Sequence, residues 1–131
     1  MQNQATHSEG NITFLTASTI NERFVFGALT NGKIAPANGA SLRAIAVITD
    51  SAGANQHVNA QFLGSNAGTM KVLSAANISA GEYIISNPQG KAISFEDQPT
   101  GSYQICGIAL SSATPGQCVE FTPTLGLQLT K

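Results

Sequence analysis

Apolar and polar residues alternate in short runs along this chain, and turn-forming residues separate the runs. Residues 58–62 and 125–129 each carry an apolar side chain at every second position. A period of two is that of a strand with one face toward a core, whereas an amphipathic helix repeats every 3.6 residues. No part of the chain sustains the longer period. The pattern therefore predicts an all-β fold with at most one short helix.

Turn signals between these runs place the hairpins. Asn31-Gly32 is typical of a two-residue hairpin loop, because both residues accept a positive φ angle. Residues 88–90, with the sequence PQG, mark a similar turn. Residues 42–48 are apolar and partly β-branched, and we interpret them as a buried strand, with a helix capped by Ser41 as the alternative.

The segment around the first of these turns occurs a second time. NGKIAPA, residues 31–37, matches QGKAISF, residues 89–95, and the same offset of 58 residues aligns Ile20 with Ile78. Further along the chain, an apolar strand and the turn after it are also repeated, with small length changes. Repeats of this kind predict stacked β units, because neither unit buries its apolar face alone.

The repeats set the predicted domain organisation. We divide the chain into an N-terminal arm, residues 1–15, and a single β domain, residues 16–131, built of two similar units at about residues 18–63 and 76–126. GSNAGT, residues 64–69, is the link between them. The first ten residues are polar and turn-rich, and we expect them to be mobile unless a partner holds them.

Charge is scarce in this chain. Charged residues make up 10% of it, against roughly 25% in typical soluble domains, while the apolar fraction of 42% is ordinary. A surface of uncharged polar residues suits a protein that packs against neighbours, because burying an unpaired charge is costly; a neutral monomer surface is the alternative. The six Lys and Arg residues are scattered, so we predict no nucleic-acid binding.

The N-terminal sequence predicts neither a secretory signal nor a membrane anchor. It has no basic segment followed by an apolar one, and no apolar run in the chain approaches the roughly 18 residues of a membrane helix. We therefore expect synthesis in a cytoplasm and no membrane partner.

Two cysteines raise the question of a disulfide. If Leu110 and Gln117 close the last hairpin, Cys118 lies opposite Ala109, and alternation sends the sulfurs of Cys106 and Cys118 to opposite faces of the sheet. We interpret both as buried free thiols, although a bulge could bring them together. Metal binding is not predicted, since neither cysteine has a CxxC partner or a neighbouring His.

Residues able to do chemistry do not form a recognisable site. Glu96 and Asp97 are adjacent carboxylates in one loop, and His7 and His57 lack partners at metal or triad spacing. The glycine-containing stretch at residues 64–71 lacks the spacing of a phosphate-binding loop. We therefore predict no catalytic, metal-binding or cofactor-binding residue and no enzyme activity.

The second repeat resembles a known family. Residues 78–84, 90–92 and 107–119 match its "Gly-x-Leu/Tyr-Val", "Gly-Lys-Val" and "Gly-Val-Ala-Leu" elements, and Gly107-Ile108-Ala109-Leu110 is the nearest match. The family is that of tailed-phage head decoration, or capsid cement, proteins. The first repeat is similar to it more weakly, because Ala44 to Val47 replaces the Gly-containing core.

The resemblance implies a small β-barrel or β-tulip-like fold and a structural role. A protein of this family binds the major capsid protein on the outside of an expanded phage capsid, often as a trimer, and stabilises the shell. The expected location is thus the exterior of the virion. The predicted capsid-binding residues are the last five of the arm: Asn11, Ile12, Thr13, Phe14 and Leu15.

The C-terminal strand predicts self-association. Leu125, Leu127 and Leu129 form an apolar face that needs cover, and few charged residues protect the sheet edges against pairing with other chains. We predict a homo-oligomer that uses these three leucines; the number three comes from the resemblance alone. A carbohydrate-binding or adhesin-like β module and another structural virion component are the alternatives.

Overall fold

A computed structural model describes residues 11–64 and 68–131 of the chain, and the first ten residues of the predicted arm lie outside this part. The described residues form ten strands and one 3₁₀ turn, Phe95–Asp97. The strands are β1 (Asn11–Leu15), β2 (Val25–Thr30), β3 (Lys33–Pro36), β4 (Ala46–Ile48), β5 (His57–Phe62), β6 (Met70–Leu73), β7 (Tyr83–Ser86), β8 (Ala92–Ser94), β9 (Ser102–Ala109) and β10 (Cys118–Thr130).

These strands form two five-stranded sheets that share one strand order. The first sheet runs β1-β5-β4-β2-β3 and the second runs β6-β10-β9-β7-β8, with antiparallel ladders throughout. Adding five to each strand number of the first order gives the second. The predicted all-β fold of two similar units is therefore confirmed. We call β1–β5 the first unit and β6–β10 the second.

Each sheet curls without closing. Thr16 forms a single parallel bridge with Ile34, and Ser74 forms the matching bridge with Ala92, so the two end strands of each sheet touch at one point. Both members of the second bridge follow those of the first by 58 residues. Because one bridge is not a ladder, the described residues form two curled open sheets, and the expected closed barrel is not present among them.

The predicted hairpin forms at Asn31-Gly32, whereas the strand predicted at residues 42–48 is shorter than expected. Asn31 and Gly32 both have positive φ, 52° and 76°, and they join β2 to β3. In the 42–48 run only Ala46–Ile48 is a strand. The side-chain carbonyl of Asn38 accepts the N–H groups of Ala40 and Leu42, which holds the residues before the strand in a turn.

The largest core cluster contains buried residues of both units. Phe26 of β2 meets Phe121 of β10 edge to face, with ring centroids 5.8 Å apart. The backbone also connects the units, because the N–H of Phe26 donates to the carbonyl oxygen of Gly90 over 2.7 Å. Phe26, Ala28 and Val47 pack in this cluster with residues of the second unit.

The other face of each sheet has a cluster of its own. In the first unit, Ile20, Ile34 and Ile48 are buried there, and Phe14 and Phe62 close the cluster with an edge-to-face contact. In the second unit, the face of the sheet turned away from the shared cluster carries another apolar cluster. We call this surface the outer face. Its members are Tyr83, Ile85, Ile93, Phe95, Tyr103, Ile105, Leu127 and Leu129.

The cysteines are both free, but the predicted register around them is wrong. Phe121, not Cys118, lies opposite Ala109, and Cys118 pairs with Leu73 of β6. The connection before β10 is wider than a tight turn, because Ala113 exchanges backbone hydrogen bonds with Ile78 and is thereby held away from the hairpin. Cys106 is buried as expected, whereas Cys118 is exposed.

Candidate functional site

The residues predicted to bind a capsid form an edge strand rather than a tail. β1 pairs with β5, and this pairing is its one ladder among the described strands. Phe14 faces the cluster of the first unit, where its ring meets Phe62, and Ile12 is half-buried. Thr13 and Leu15 are exposed, Leu15 to 38%. Of the predicted set, these two side chains are the ones available to a partner; the side chain of Asn11 lies outside the described part.

The three C-terminal leucines divide into two kinds. Leu127 and Leu129 pair with Ile105 and Tyr103 of β9 and pack on the outer face, where they are half-buried. Leu125 lies within the break in register between Pro123 and Leu127 and is 59% exposed. The predicted oligomer contact is therefore one strongly exposed leucine beside two that belong to a partly covered apolar face.

Aromatic rings give the outer face its shape. Phe95 meets Tyr83 and Tyr103 edge to face, with centroid separations of 6.3 and 5.8 Å. The hydroxyl of Tyr103 donates to the carbonyl oxygen of Pro99, which fixes the ring. Tyr and Phe at a half-buried surface suit a protein contact, because they bury much area while losing little rotamer freedom. Tyr83, Phe95 and Tyr103 were not predicted as site residues, since they lie on three different elements.

A second candidate is a cleft where the two units meet. It has a volume of about 470 Å³, and its lining comes from both units: Phe24, Thr49, Gln61, Thr69, Met70, Lys71, Ser111, Cys118 and Glu120. We call it the junction cleft. Sequence reasoning missed it, because its residues are spread over almost a hundred positions and meet only when the sheets stack.

Phe24 is the unusual residue of the junction cleft. Its φ angle is +61°, in the left-handed region, where a bulky side chain is an outlier. Its ring carries two cations: the ammonium of Lys71 lies 4.5 Å from the ring centroid and the guanidinium carbon of Arg23 lies 5.2 Å from it. Attraction between a cation and an aromatic face accounts for both contacts.

Hydrogen bonds fix the polar side chains around the ring. Arg23 donates through Nε to the carbonyl oxygen of Thr49 over 2.9 Å. The hydroxyl of Thr69 donates to a carboxylate oxygen of Glu120 over 2.6 Å. Glu120 and Lys71 are direct partners in the β6–β10 ladder, yet each is engaged elsewhere.

The two thiols differ in their chemistry. Cys118 is exposed and lines the junction cleft. Burial raises the pKa of Cys106 to about 12, against an opposing hydrogen bond from the backbone of Ser86. Because Cys106 is buried, only the exposed thiol of Cys118 is accessible to a thiol reagent.

The other chemical groups stay apart. Within residues 11–64 and 68–131, no three His, Cys, Asp or Glu side chains converge as a metal site would require. Glu96 and Asp97 lie in the exposed 3₁₀ turn and His57 is exposed at the start of β5. His7 lies outside the described residues. The same described part contains no helix long and apolar enough to cross a membrane.

Comparison with known proteins gives a likeness in structure. No protein-family model and no curated protein matches the sequence. The structure is similar to the crystal structure of the "head fiber gp8.5 N base" of bacteriophage phi29, with a TM-score of 0.69 and 17% sequence identity. The match covers 87% of this chain and 92% of that chain. The likeness shows the fold.

Proposed function

We propose that this chain is a structural component of a phage particle that binds the outside of the capsid and stabilises it. The observation that carries the proposal is the likeness to the phi29 head-fibre base, which extends over nearly the whole of both chains. The resemblance of the second repeat to capsid decoration proteins supports it independently, since that resemblance rests on residues and not on the fold.

The exposed edge of the first unit supports a role in attachment. Thr13 and Leu15 point away from the cluster that Phe14 enters, and β1 is the end strand of its sheet. An end strand presents unpaired backbone groups to which a partner can add a strand. We assign capsid contact to β1 and to the residues before it, with the major capsid protein as the partner.

The outer face supports self-association. It is apolar and aromatic and contains no charged residue, while the charged residues Glu96, Asp97 and Lys131 lie next to its elements in sequence. An apolar centre within a polar rim is the usual anatomy of a protein interface. We assign the homo-oligomer contact, a trimer by the family resemblance, to this face together with Leu125.

Capsid binding is the experiment that tests the function. Purified protein is added to expanded capsids that lack it, and the retained fraction is measured by sedimentation. We expect the wild type to be retained and Leu15→Asp to be retained less, because the substitution puts a charge on the proposed contact. Leu29→Asp is the matched control, since Leu29 is comparably exposed at 43% on the β2–β3 hairpin. Absence of wild-type binding to the capsid of its own phage would overturn the proposal.

The same structural likeness favours a second candidate, the base of a head fibre. A decoration protein lies flat on the shell, whereas a fibre base carries a projection. Electron microscopy of the reconstituted particles distinguishes the two, because density that ends at the bound β domain indicates decoration and density that continues outward indicates a fibre.

A further inference from the structure

The end strands of each sheet meet at one point and leave a gap beside it. In the first unit β1 and β3 meet at the parallel bridge of Thr16 with Ile34, and in the second unit β6 and β8 meet at that of Ser74 with Ala92. The residues before each bridge form no ladder with one another. We call the gap between them the fork of that unit.

The fork of the second unit is filled by a segment of the first unit. Leu73 precedes the bridge on β6, and its N–H donates to the carbonyl oxygen of Phe24 over 2.7 Å. Gly90 lies two residues before the bridge on the other side, and its carbonyl oxygen accepts the N–H of Phe26 over 2.7 Å. Residues 24–26 therefore lie between the two sides of the fork as a short inserted strand.

The fork of the first unit has the same two backbone groups. The offset of 58 residues that relates the two bridges also aligns Leu15 with Leu73 and Gly32 with Gly90. The N–H of Thr16 donates to the residue just before β5. Because successive N–H groups of a strand point to opposite sides, the N–H of Leu15 points away from β5 and into the fork.

This fork is open within the described part of the chain. There, neither the N–H of Leu15 nor the carbonyl oxygen of Gly32 has a hydrogen-bond partner. A Cβ added to Gly32 would meet nothing within 4 Å, whereas one at Gly90 would lie 2.8 Å from the carbonyl oxygen of Phe26. Leu15 is 38% exposed and Leu73 is half-buried. The first unit thus keeps free the backbone groups that the second unit satisfies internally.

The filled fork shows which chemistry suits the open one. The ring of Phe26 meets that of Phe121 with centroids 5.8 Å apart, and the ring of Phe24 lies 4.5 Å from the ammonium of Lys71. The residue of the first unit that aligns with Lys71 is the uncharged Thr13. An extended segment with apolar side chains therefore suits the open fork, beside the exposed Leu15.

A second copy of this chain fits the open fork less well. Its equivalent segment is Gly81–Tyr83, because the N–H of Gly81 donates to the end of β9 as that of Phe24 donates to the end of β4. Gly81 has no side chain to cover Leu15, and Tyr83 already packs on the outer face of its own unit. These differences favour another protein as the occupant.

We propose that the fork of the first unit binds a three-residue extended segment of another protein, with apolar side chains at its first and third positions. The N–H of Leu15 donates to the carbonyl oxygen of the first residue, and the N–H of the third donates to the carbonyl oxygen of Gly32. Strand addition of this kind takes affinity from backbone bonds and preference from alternate side chains. The identification of the other protein as the capsid protein rests on the proposed function, but the site does not.

A peptide with the sequence of the internal segment tests the site without a capsid. The full chain, labelled with ¹⁵N, is titrated with acetyl-Arg-Phe-Val-Phe-Gly-amide and with the same peptide N-methylated on its second Phe, which removes the donor to Gly32. We expect amide shifts at residues 15 and 33 with the first peptide alone. Equal shifts with both peptides, no shift, or shifts at residues 73 and 91 instead would each overturn the proposal.

Two variants of Leu15 connect the site to the capsid. Leu15→Pro removes the N–H that enters the fork and no bond of the β1–β5 ladder, so an edge strand tolerates it. Leu15→Ala is the matched control, because it loses the side chain and keeps the N–H. Leu15→Pro should bind capsids about fivefold more weakly than Leu15→Ala, as expected for one lost hydrogen bond. Amide spectra of both variants check that the sheet is retained.

The outcomes separate the two proposals. If wild-type protein binds capsids and the two variants bind equally well, the fork proposal fails while capsid binding stands. If wild-type protein binds no capsid and the peptide still shifts residues 15 and 33, capsid binding fails while the fork site stands. A shift at residue 15 that grows with protein concentration in the absence of peptide would mean that a second copy fills the fork, which overturns the proposed occupant.

Discussion

The two units share one strand order, but they differ in side-chain size on one equivalent face. There the first unit has alanine at four positions where the second unit has a larger residue. Phe26 pairs with Val47 in the first unit as Tyr83 pairs with Ile108 in the second, which sets the alignment between them. Four alanines of the first unit thereby correspond to larger residues of the second. The pairs are Ala28 with Ile85, Ala35 with Ile93, Ala37 with Phe95 and Ala44 with Ile105.

The difference follows from what covers each face. The first unit packs this face against the second unit, and small side chains let the two backbones approach. Gly90 accepts a hydrogen bond from Phe26 there, and the side-chain amide of Gln104 bonds both backbone groups of Ala44. In the second unit no described element stacks on the face, so larger side chains cover one another. The same fold thus takes different sequences where its neighbours differ.

The largest expected effect is the difference in stability loss between alanine substitutions at Phe26 and Tyr83, two aromatic residues at equivalent positions of the two units. Phe26→Ala should lower the free energy of unfolding by about 3–5 kcal/mol, because Phe26 is fully buried between the units. Tyr83→Ala should cost about 1–2 kcal/mol, since Tyr83 is half-buried. Urea denaturation of both variants measures the difference. Equal losses of stability would contradict the claim that this face is buried against another unit in the first unit but not in the second.

The next effect compares two glycines that the repeat aligns, Gly32 and Gly90. Both have positive φ, 76° and 83°, so alanine at either position costs about 1 kcal/mol of backbone strain. A Cβ at Gly90 would also lie 2.8 Å from the carbonyl oxygen of Phe26, whereas one at Gly32 meets nothing within 4 Å. Gly90→Ala should therefore cost about 2–3 kcal/mol in total. Similar thermal midpoints for the two variants would show that the units can separate slightly without loss.

Local signals made much of the fold predictable. Asn31-Gly32 specifies its own hairpin, and the alternation of Val58, Ala60 and Phe62 specifies a strand with one buried face. The 58-residue offset predicted the doubled sheet, because repeated strands and turns give repeated pairing. Each of these signals lies within a few residues or in a direct repeat of them.

The candidate site was not predictable in this way. The left-handed Phe24 depends on the strand end at Ile48 and on a bond from Leu73 in the other unit. The exposure of Cys118 depends on how Ala113 is held by Ile78. The conformation of Phe24 requires the stacking of two sheets, which the sequence of either repeat does not encode by itself, and the Ala113–Ile78 contact joins residues 35 positions apart in the second unit. The sequence repeat did not reveal the position of Phe24 either, because the 58-residue offset aligns Phe24 with Glu82, whereas the backbone hydrogen bonds place Gly81 at the equivalent position.

The third prediction concerns the pH dependence of the free energy of unfolding, which should differ between variants of the two cysteines. The pKa of Cys106 is raised from 9.0 to about 12 by burial, so above pH 9 the unfolded chain loses a proton that the folded chain keeps. Stability should therefore fall by about 1.4 kcal/mol per pH unit between these two values. Cys106→Ala should remove this slope, and Cys118→Ala should leave it. Urea denaturation at pH 8, 9 and 10 measures it, and parallel slopes for the two variants would contradict it.

The last comparison concerns Phe24 and Gly81, which occupy equivalent places because the N–H of each donates to the last carbonyl oxygen of an equivalent strand, that of Ile48 in β4 or that of Ala109 in β9. Phe24→Gly relieves left-handed strain of about 1 kcal/mol. It also removes two exposed cation contacts of about 0.5–1 kcal/mol each and some apolar packing against the shared core. The lost contacts outweigh the relieved strain, so the free energy of unfolding should fall by about 1–3 kcal/mol.

Gly81→Ala is the matched variant in the second unit. A Cβ there meets nothing within 4 Å, and φ is +92°, so the substitution should cost about 1 kcal/mol of strain alone. Denaturant midpoints of the two variants give the comparison. A loss above about 3 kcal/mol for Phe24→Gly would mean that the ring clamps the two units together, and its strain would then be explained by stability. A near-neutral change would mean that the contacts of the ring do not stabilise the fold, and the strain at Phe24 would then not be explained by stability.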